Sequence, residues 1–195
     1  HKCPHIAVRQ LERGAIGITT AKLGEAEAMA DAEVDDILVA NQVVGYPKVN
    51  RAATLARRCR LTVAVDSLEN IEELGRAATE QGVMIGALVE INVGMDRCGV
   101  DTPEAALALA RKLDSTDGVE LRGVMGYEGH AVFIEDPEEK KVAVEAAMGK
   151  LLAVRDSLQD SGFASPIVSA AGTGTYSITG RIDGVTELQC GSYCV

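Results

Sequence analysis

The 195-residue chain contains no tryptophan, and aromatic residues make up only 3% of it. Its core must therefore be built from valine, isoleucine, leucine and alanine, as is usual in α/β layers. No basic run and no mixture of basic and aromatic residues appears, and the net charge is −10, so we expect no nucleic-acid partner. No apolar run approaches about 18 residues, so no membrane span is predicted.

The five cysteines lack the spacing of a metal or redox site. They form no CxxC pair, and none stands beside a histidine at zinc-like spacing. This pattern is typical of reduced thiols in the cytosol, so we expect a cytoplasmic location and no metal site in the chain. The cysteines are Cys3, Cys59, Cys98, Cys190 and Cys194.

What the chain does contain is a strand, a loop and a helix, repeated about seven times. This alternation predicts a parallel α/β sheet. Polar and glycine-rich segments follow the apolar runs, and in a (β/α)8 TIM-type barrel that edge carries the active site. The chain is about one unit short of such a barrel. We therefore expect a single, incomplete barrel domain over residues 1–195, cut from a larger enzyme.

A doubly wound, Rossmann-like sheet is the alternative fold. Against it, the first βα turn carries no GxGxxG. The unusual residues are also spread over several strand ends, which suits a barrel rim better than a single crevice.

Local signals predict where several helices begin. Asp66 with Glu69 resembles a capping box. Thr102 before Pro103, and Asp136 before Pro137, are typical of a cap followed by proline at the first helical position.

Two loops suggest a phosphate site. Thr173, Gly174 and Thr175 follow one strand, and Gly191 and Ser192 follow the next. Backbone N–H groups in such turns can converge on an anion, and in TIM barrels the loops after the last two strands often do so. The alternative is a pair of ordinary tight turns.

Charged and aromatic residues stand at other strand ends. Arg97 in GMDRCG could clamp a phenolate, carboxylate or phosphate, or could form a salt bridge with Asp96 or a neighbouring helix. Tyr127 and His130 in GYEGH could face a ligand, although a lone histidine is more often structural. Gln42, Lys22 and Asp66 are weaker candidates.

Together, these segments resemble the D-threonine aldolase and eukaryotic-type D-serine dehydratase group, over nearly the whole chain. The matching segments are HKCP, GITTAKLGEAE, GMDRCGV, GYEGH, GTGTY and ELQCGSY. Members are fold-type III enzymes with an alanine-racemase-like barrel, and they use pyridoxal 5′-phosphate (PLP).

The resemblance implies a role for each matching residue. Arg97 is similar to the arginine that contacts the PLP phenolic oxygen, and Gln189 stands where alanine racemases hold an arginine against the pyridine nitrogen. Tyr127 and His130 would line the pocket as catalytic residues. The implied cofactor-binding set is Arg97, Tyr127, Thr173, Gly174, Thr175, Tyr176, Gln189, Gly191, Ser192 and, more weakly, Gln42.

Three departures from the family pattern stand out. The PLP lysine of the family sits on the first strand of the barrel and would lie just upstream of His1. The resemblance therefore implies that the chain lacks its first strand, and Lys2 is not expected to replace that lysine. The second domain of the family, with its divalent-metal ligands, is expected to be absent. Ala171 stands where the family usually has another glycine, which restricts φ in that turn.

The resemblance therefore implies a PLP-dependent lyase, or a fragment of one, that cleaves D-threonine or a related D-β-hydroxy-α-amino acid to glycine and an aldehyde. The expected partners are a small D-amino acid and a second copy of the chain. Dehydration of D-serine is the close alternative. A racemase, a non-catalytic PLP-binding barrel protein and a truncated pseudo-enzyme are further alternatives.

Overall fold

The computed structural model describes residues 3–194. Lys2, which the sequence does not favour as a catalytic lysine, lies outside the described residues. The chain divides into two compact units, residues 1–87 with 111–121 and residues 88–110 with 122–195. The expected single domain over 1–195 stays a prediction.

The strands confirm the predicted parallel α/β architecture. By hydrogen bonding they follow one another in chain order from β1 to β7, as successive βα units of a barrel do. The strands are β1 (Ile18–Thr20), β2 (Asp36–Gln42), β3 (Arg60–Val65), β4 (Ile85–Glu90), β5 (Val119–Met125), β6 (Ile167–Ala170) and β7 (Glu187–Leu188).

A helix follows or precedes nearly every strand. The helices are α1 (Pro4–Glu12), α2 (Leu23–Asp31), α3 (Tyr46–Leu55), α4 (Leu68–Gln81), α5 (Pro103–Asp114), α6 (Pro137–Asp160) and the single turn α7 (Tyr176–Thr179). Within residues 3–194, no helix is both long enough and apolar enough to cross a membrane.

The first unit is built on β1, β2 and β3. Ile18 pairs with Ile37, and Ile37 with Leu61, in parallel register. The pairing of β2 with β3 shifts between Val39 and Gln42, where the strand bulges. Ile37 and Leu61 are fully buried, together with Leu74 of α4, so aliphatic side chains fill the core as the composition predicts.

One predicted cap in this unit is wrong. Ser67, not Asp66, caps α4, because the Ser67 hydroxyl accepts the N–H of Asn70 at 3.2 Å. The caps predicted for the second unit are confirmed. Asp136 accepts the N–H groups of Glu138 and Glu139, and the Thr102 hydroxyl accepts the N–H of Ala105.

The second unit contains the parallel pairs β5–β6 and β6–β7. Fully buried residues of α6, such as Met148, Leu151 and Leu158, belong to its core. The sequence predicts strands over PIVSAAGT and VTELQCG, and further strand in SYCV. In the structure β6 ends at Ala170 and β7 at Leu188, and Ser192–Cys194 form a 3₁₀ turn.

Candidate functional site

Two loops of the second unit, residues 171–175 after β6 and residues 189–193 after β7, lie against each other. The N–H of Tyr193 donates to Oγ1 of Thr173 at 3.1 Å. The N–H of Gln189 donates to the carbonyl of Ala170 at 2.9 Å. The two predicted phosphate loops are therefore neighbours.

These loops carry unpaired backbone donors. Within residues 3–194, the N–H groups of Thr173, Gly174, Gly191 and Ser192 donate to no protein acceptor. Gly174 and Ser192 are exposed, and a side chain at position 191 would meet open space. Successive unpaired N–H groups in adjoining turns form a concavity for an anion.

Thr175 has a structural role within the first loop. Its side chain is fully buried, and its hydroxyl accepts the N–H of Gly172 at 3.2 Å. The N–H groups of Thr175 and Tyr176 both donate to the carbonyl of Gly172. These bonds close the loop tightly, and they leave Thr173 as the loop threonine whose hydroxyl proton is available to a ligand.

Glu128 ties three segments together beneath this loop. Its carboxyl group is fully buried. The Thr179 hydroxyl donates to Oε1 at 2.6 Å, and the N–H of Ala171 donates to Oε2 at 3.1 Å. One carboxyl group thus links the GYEGH segment, the turn after β6 and helix α7.

Ala171 adopts the backbone conformation that a glycine would favour. Its φ is +66°, in the left-handed region, and its N–H is held by Glu128. The sequence predicts that alanine restricts φ at this turn. The structure shows alanine held at a strained φ instead.

Relief of that strain is testable. Because glycine tolerates positive φ, we expect Ala171→Gly to raise the free energy of unfolding by up to about 1 kcal/mol. The matched control is Ala170→Gly, one residue earlier in β6, which should lower it by about 0.5–1 kcal/mol. Urea denaturation measures both variants. Destabilisation by both would show that the turn at Ala171 is not strained.

Arg97 projects from the loop after β4. Its guanidinium lies 5.9 Å from the centre of the Tyr127 ring, within cation–π range. It also lies 3.9 Å from Oε1 of the buried Glu90, whose Oε1 accepts the Cys98 thiol at 2.9 Å. Burial raises the pKa of the Cys98 thiol, and the bond to Glu90 adds to the rise. The Arg97 side chain is 53% exposed, so it is accessible to a ligand.

Within residues 3–194, Arg97 forms its ion pair with Glu90 and not with Asp96. Asn92 organises this turn instead. The side-chain NH₂ of Asn92 donates to the carboxylates of Asp96 and Asp101. Its side-chain oxygen, Oδ1, accepts the backbone N–H groups of Gly94 and Asp96. Asp96 is thereby held at a φ of +53°, with its carboxylate bonded to Asn92. The Arg97 guanidinium lies over the Tyr127 ring instead.

Tyr127 packs against the turn after β6. A methyl group added at Gly172 would lie 3.1 Å from Cε2 and 3.3 Å from the hydroxyl oxygen of Tyr127. At Gly129 it would lie 2.6 Å from Cε1. The two glycines therefore allow the half-buried ring to fit between them.

The run LRGVMGYEG predicts a strand that reaches Gly129, along which side chains would alternate. In the structure β5 ends at Met125 and Gly129–Ala131 form a 3₁₀ turn, so GYEGH is not a strand and this alternation does not apply to Tyr127 and His130. His130 is exposed, and its ring lies against Gly94, where a methyl group would come 3.2 Å from Cε1. Tyr127 and His130 thus both lie near the GMDRCG loop that carries Arg97.

Gln189 follows β7 and is anchored by its side chain. Its Nε2 donates to Oγ of Ser169 at 2.8 Å, and that hydroxyl donates to Oε1 of Glu187 at 2.6 Å. Ser169 is fully buried in β6.

Gln42, Lys22 and Asp66 belong to the first unit. Gln42 lies at the end of β2, half-buried, and lines a cavity of about 600 Å³ together with Lys22 and Lys48. No group of three or more histidine, cysteine, aspartate or glutamate side chains within residues 3–194 is placed to hold a metal ion.

The second unit therefore presents an anion cradle, an arginine beside a tyrosine ring, and an anchored amide. This set suits a planar ligand with an anionic tail. Sequence reasoning noted Glu128 in GYEGH without assigning it a role, and it missed Ser169 and Glu187. The sequence feature that could have pointed to these residues is that each is a polar residue in or just after an apolar run.

Comparison with known proteins identifies the family of the chain. The family model described as alanine racemase, N-terminal domain, matches residues 1–195. The chain is 36% identical over 193 residues to the D-threonine aldolase of Arthrobacter sp, an alignment that covers 99% of this chain and 51% of that protein.

The solved structures that are similar to this one include two enzymes from other organisms. D-threonine aldolase from Filomicrobium marinum superposes with a TM-score of 0.95 at 39% identity, covering 99% of this chain and 52% of that one. D-threo-3-hydroxyaspartate dehydratase from Delftia sp. HT23 gives 0.90 at 32% identity, covering 98% and 51%. The chain thus spans about half the length of these relatives.

Proposed function

The chain belongs to the alanine racemase N-terminal domain family, and on that premise we propose that it supplies the PLP-binding barrel of a lyase. The proposed reaction is cleavage of D-threonine, or another D-β-hydroxy-α-amino acid, to glycine and an aldehyde. The substrate is the one named for the relatives from Arthrobacter and Filomicrobium marinum. A homodimer and a cytoplasmic location stay predictions.

The residues present fit PLP. The unpaired N–H groups of Thr173, Gly174, Gly191 and Ser192 suit its phosphate, since they offer several donors and no negative charge. This observation carries the proposal. Bound PLP supplies an electron sink for bond cleavage at the substrate's Cα.

The remaining residues would hold and orient the ligand. Arg97 would donate to the phenolic oxygen, supported by its exposed guanidinium. Gln189 would face the ring nitrogen. Tyr176, 51% exposed at the start of α7, is a secondary member of the proposed set. The role expected of Gln42, in the first unit, stays a prediction.

Tyr127 and His130 are the proposed proton-handling residues. Both lie in the segment after β5, next to Arg97 or its loop. An imidazole can accept and donate a proton, so His130 is suited to take the proton of the substrate's β-hydroxyl as the Cα–Cβ bond breaks and to donate a proton to Cα of the glycine product. Tyr127 would pack against the ligand ring and offer its hydroxyl.

Binding of the phosphate group tests this proposal. Titration of the ¹⁵N-labelled chain with pyridoxamine 5′-phosphate should shift the backbone amide resonances of Thr173, Gly174, Gly191 and Ser192. Thr173→Val keeps the side-chain shape but removes the hydroxyl, and it should weaken binding about tenfold, as for one lost hydrogen bond of about 1.5 kcal/mol to a charged group.

Ser177→Ala is the control, because it removes an exposed hydroxyl from α7, in the turn that follows the loop. It should leave the affinity unchanged. If the four amides do not respond to the ligand, or if inorganic phosphate and the ligand bind elsewhere, the cofactor assignment is wrong.

Dehydration is the second candidate, because the chain is also similar to D-threo-3-hydroxyaspartate dehydratase. The products of D-threonine distinguish the two reactions. Aldol cleavage gives glycine and acetaldehyde, whereas dehydration gives 2-oxobutanoate and ammonia.

A further inference from the structure

The orientation of the Gln189 side-chain amide is set by the Ser169 hydroxyl and, through it, by the Glu187 carboxylate. Ser169 has one hydroxyl proton. Its oxygen, Oγ, lies 2.6 Å from Oε1 of Glu187 and 2.8 Å from Nε2 of Gln189. A carboxylate only accepts hydrogen bonds, so the Ser169 proton must go to Glu187. The Ser169 oxygen is then an acceptor, and Gln189 must turn its NH₂ group towards it.

This arrangement leaves the Gln189 carbonyl oxygen, Oε1, as a free acceptor. Within residues 3–194, Oε1 accepts no hydrogen bond from the protein. An amide that was not anchored could turn either its donor or its acceptor towards a ligand. The Glu187–Ser169 pair removes that choice.

The anchor is built into the sheet. Ser169 and Glu187 are register partners in the parallel pair β6–β7, and Ser169 is fully buried. The backbone of Gln189 is held by its own bond to Ala170. The amide can therefore reverse only if the Ser169 hydroxyl gives up its bond to Glu187.

We propose that Glu187 and Ser169 are positioning residues that present Gln189 Oε1 to the ligand, so that the site selects a ligand carrying a ring N–H donor. This inference rests on the proposed function. For PLP and its analogues, it means that the pyridine nitrogen is protonated when bound. An arginine at this position could only donate, and it would select the opposite state.

The first test uses the ligand-free chain. Nuclear Overhauser contacts should join the Gln189 side-chain NH₂ protons to the β-protons of Ser169. Glu187→Gln can donate to Ser169, so the serine proton can turn to Gln189 and the amide can reverse, and these contacts should be lost. Glu145→Gln, on the exposed face of α6, is the matched control and should keep them. Absence of the contacts in the wild-type chain overturns the proposal.

The second test uses pyridoxamine 5′-phosphate labelled with ¹⁵N in the ring. At the pH where the free ligand is half protonated at that nitrogen, the bound ligand should be protonated in the wild-type chain, a preference of about tenfold or more, which is one pKa unit or more. Ser169→Ala and Glu187→Gln should both abolish the preference. Ser169→Ala supplies a second route to the same loss, in case one variant fails to fold.

The outcomes separate the two proposals. Binding that shifts the Thr173 and Gly191 amides, but leaves the bound ring half protonated or unprotonated, overturns the role of Glu187 and Ser169 alone. If Ser169→Ala and Glu187→Gln both still bind the ligand with its ring nitrogen protonated, the role of Glu187 and Ser169 is likewise overturned. A titration in which those amides do not move contradicts the cofactor assignment itself.

Discussion

Glu128→Ala is expected to lower the free energy of unfolding by about 3–5 kcal/mol, since it leaves two buried donors unpaired and opens a cavity. The donors are the Thr179 hydroxyl and the Ala171 N–H, both in a region with no access to water. Urea denaturation, followed by circular dichroism, measures the change.

Two variants accompany it. Glu128→Gln keeps the side-chain volume but sets an NH₂ group against one of the two donors. It should therefore lower the free energy of unfolding, but by less than Glu128→Ala does. Glu145→Ala removes an exposed carboxylate of α6, 3.9 Å from Lys141, and should change stability by less than about 0.5 kcal/mol. If Glu128→Ala is as stable as Glu145→Ala, the buried carboxyl does not hold the turn after β6.

Arg97→Ala is expected to weaken the binding of PLP about 10- to 150-fold. The charge-assisted contact that it removes contributes roughly 1.5–3 kcal/mol. Stability should hardly change, because the Arg97 side chain is 53% exposed and its contact with Glu90 is long, at 3.9 Å. Equilibrium dialysis measures the affinity, and thermal unfolding checks the fold.

The control removes a positive charge elsewhere. Lys150→Ala, on the exposed side of α6, changes the net charge by the same amount and should leave the affinity within about twofold of the wild-type value after screening by salt. Equal losses for the two variants would mean that Arg97 acts through overall charge. If Arg97→Ala binds PLP as tightly as the wild-type chain, Arg97 does not contact the ligand, and its contact with Tyr127 has only a structural role.

The fold was predictable because its signals are local. Apolar runs of strand length alternate with amphipathic helices, and two caps, at Thr102 and Asp136, read correctly from neighbouring residues. Asp66 was misread because Ser67, the next residue, offers the same hydrogen-bonding chemistry one position closer to the helix. GYEGH was read as possible strand because nothing local shows that the chain turns after Met125.

The site was only partly predictable, because its organising bonds are long-range. The two glycine-rich loops stand out in the sequence. Glu128, however, is 43 residues from Ala171 and 51 from Thr179. Ser169 is 20 residues from Gln189. A single sequence does not reveal which polar residues meet across such distances, so these two networks required the structure.

The scarcity of aromatic residues has an optical consequence. The chain has four tyrosines and no tryptophan, and Tyr127, Tyr176 and Tyr193 all lie in the second unit, in or directly beside the loops of the candidate site. Tyrosine emission, normally masked by tryptophan, therefore dominates the intrinsic fluorescence, and three of its four emitters stand at the candidate site. A ligand that absorbs in the near ultraviolet would quench them by energy transfer, so the chain carries its own reporter of occupancy without an attached dye.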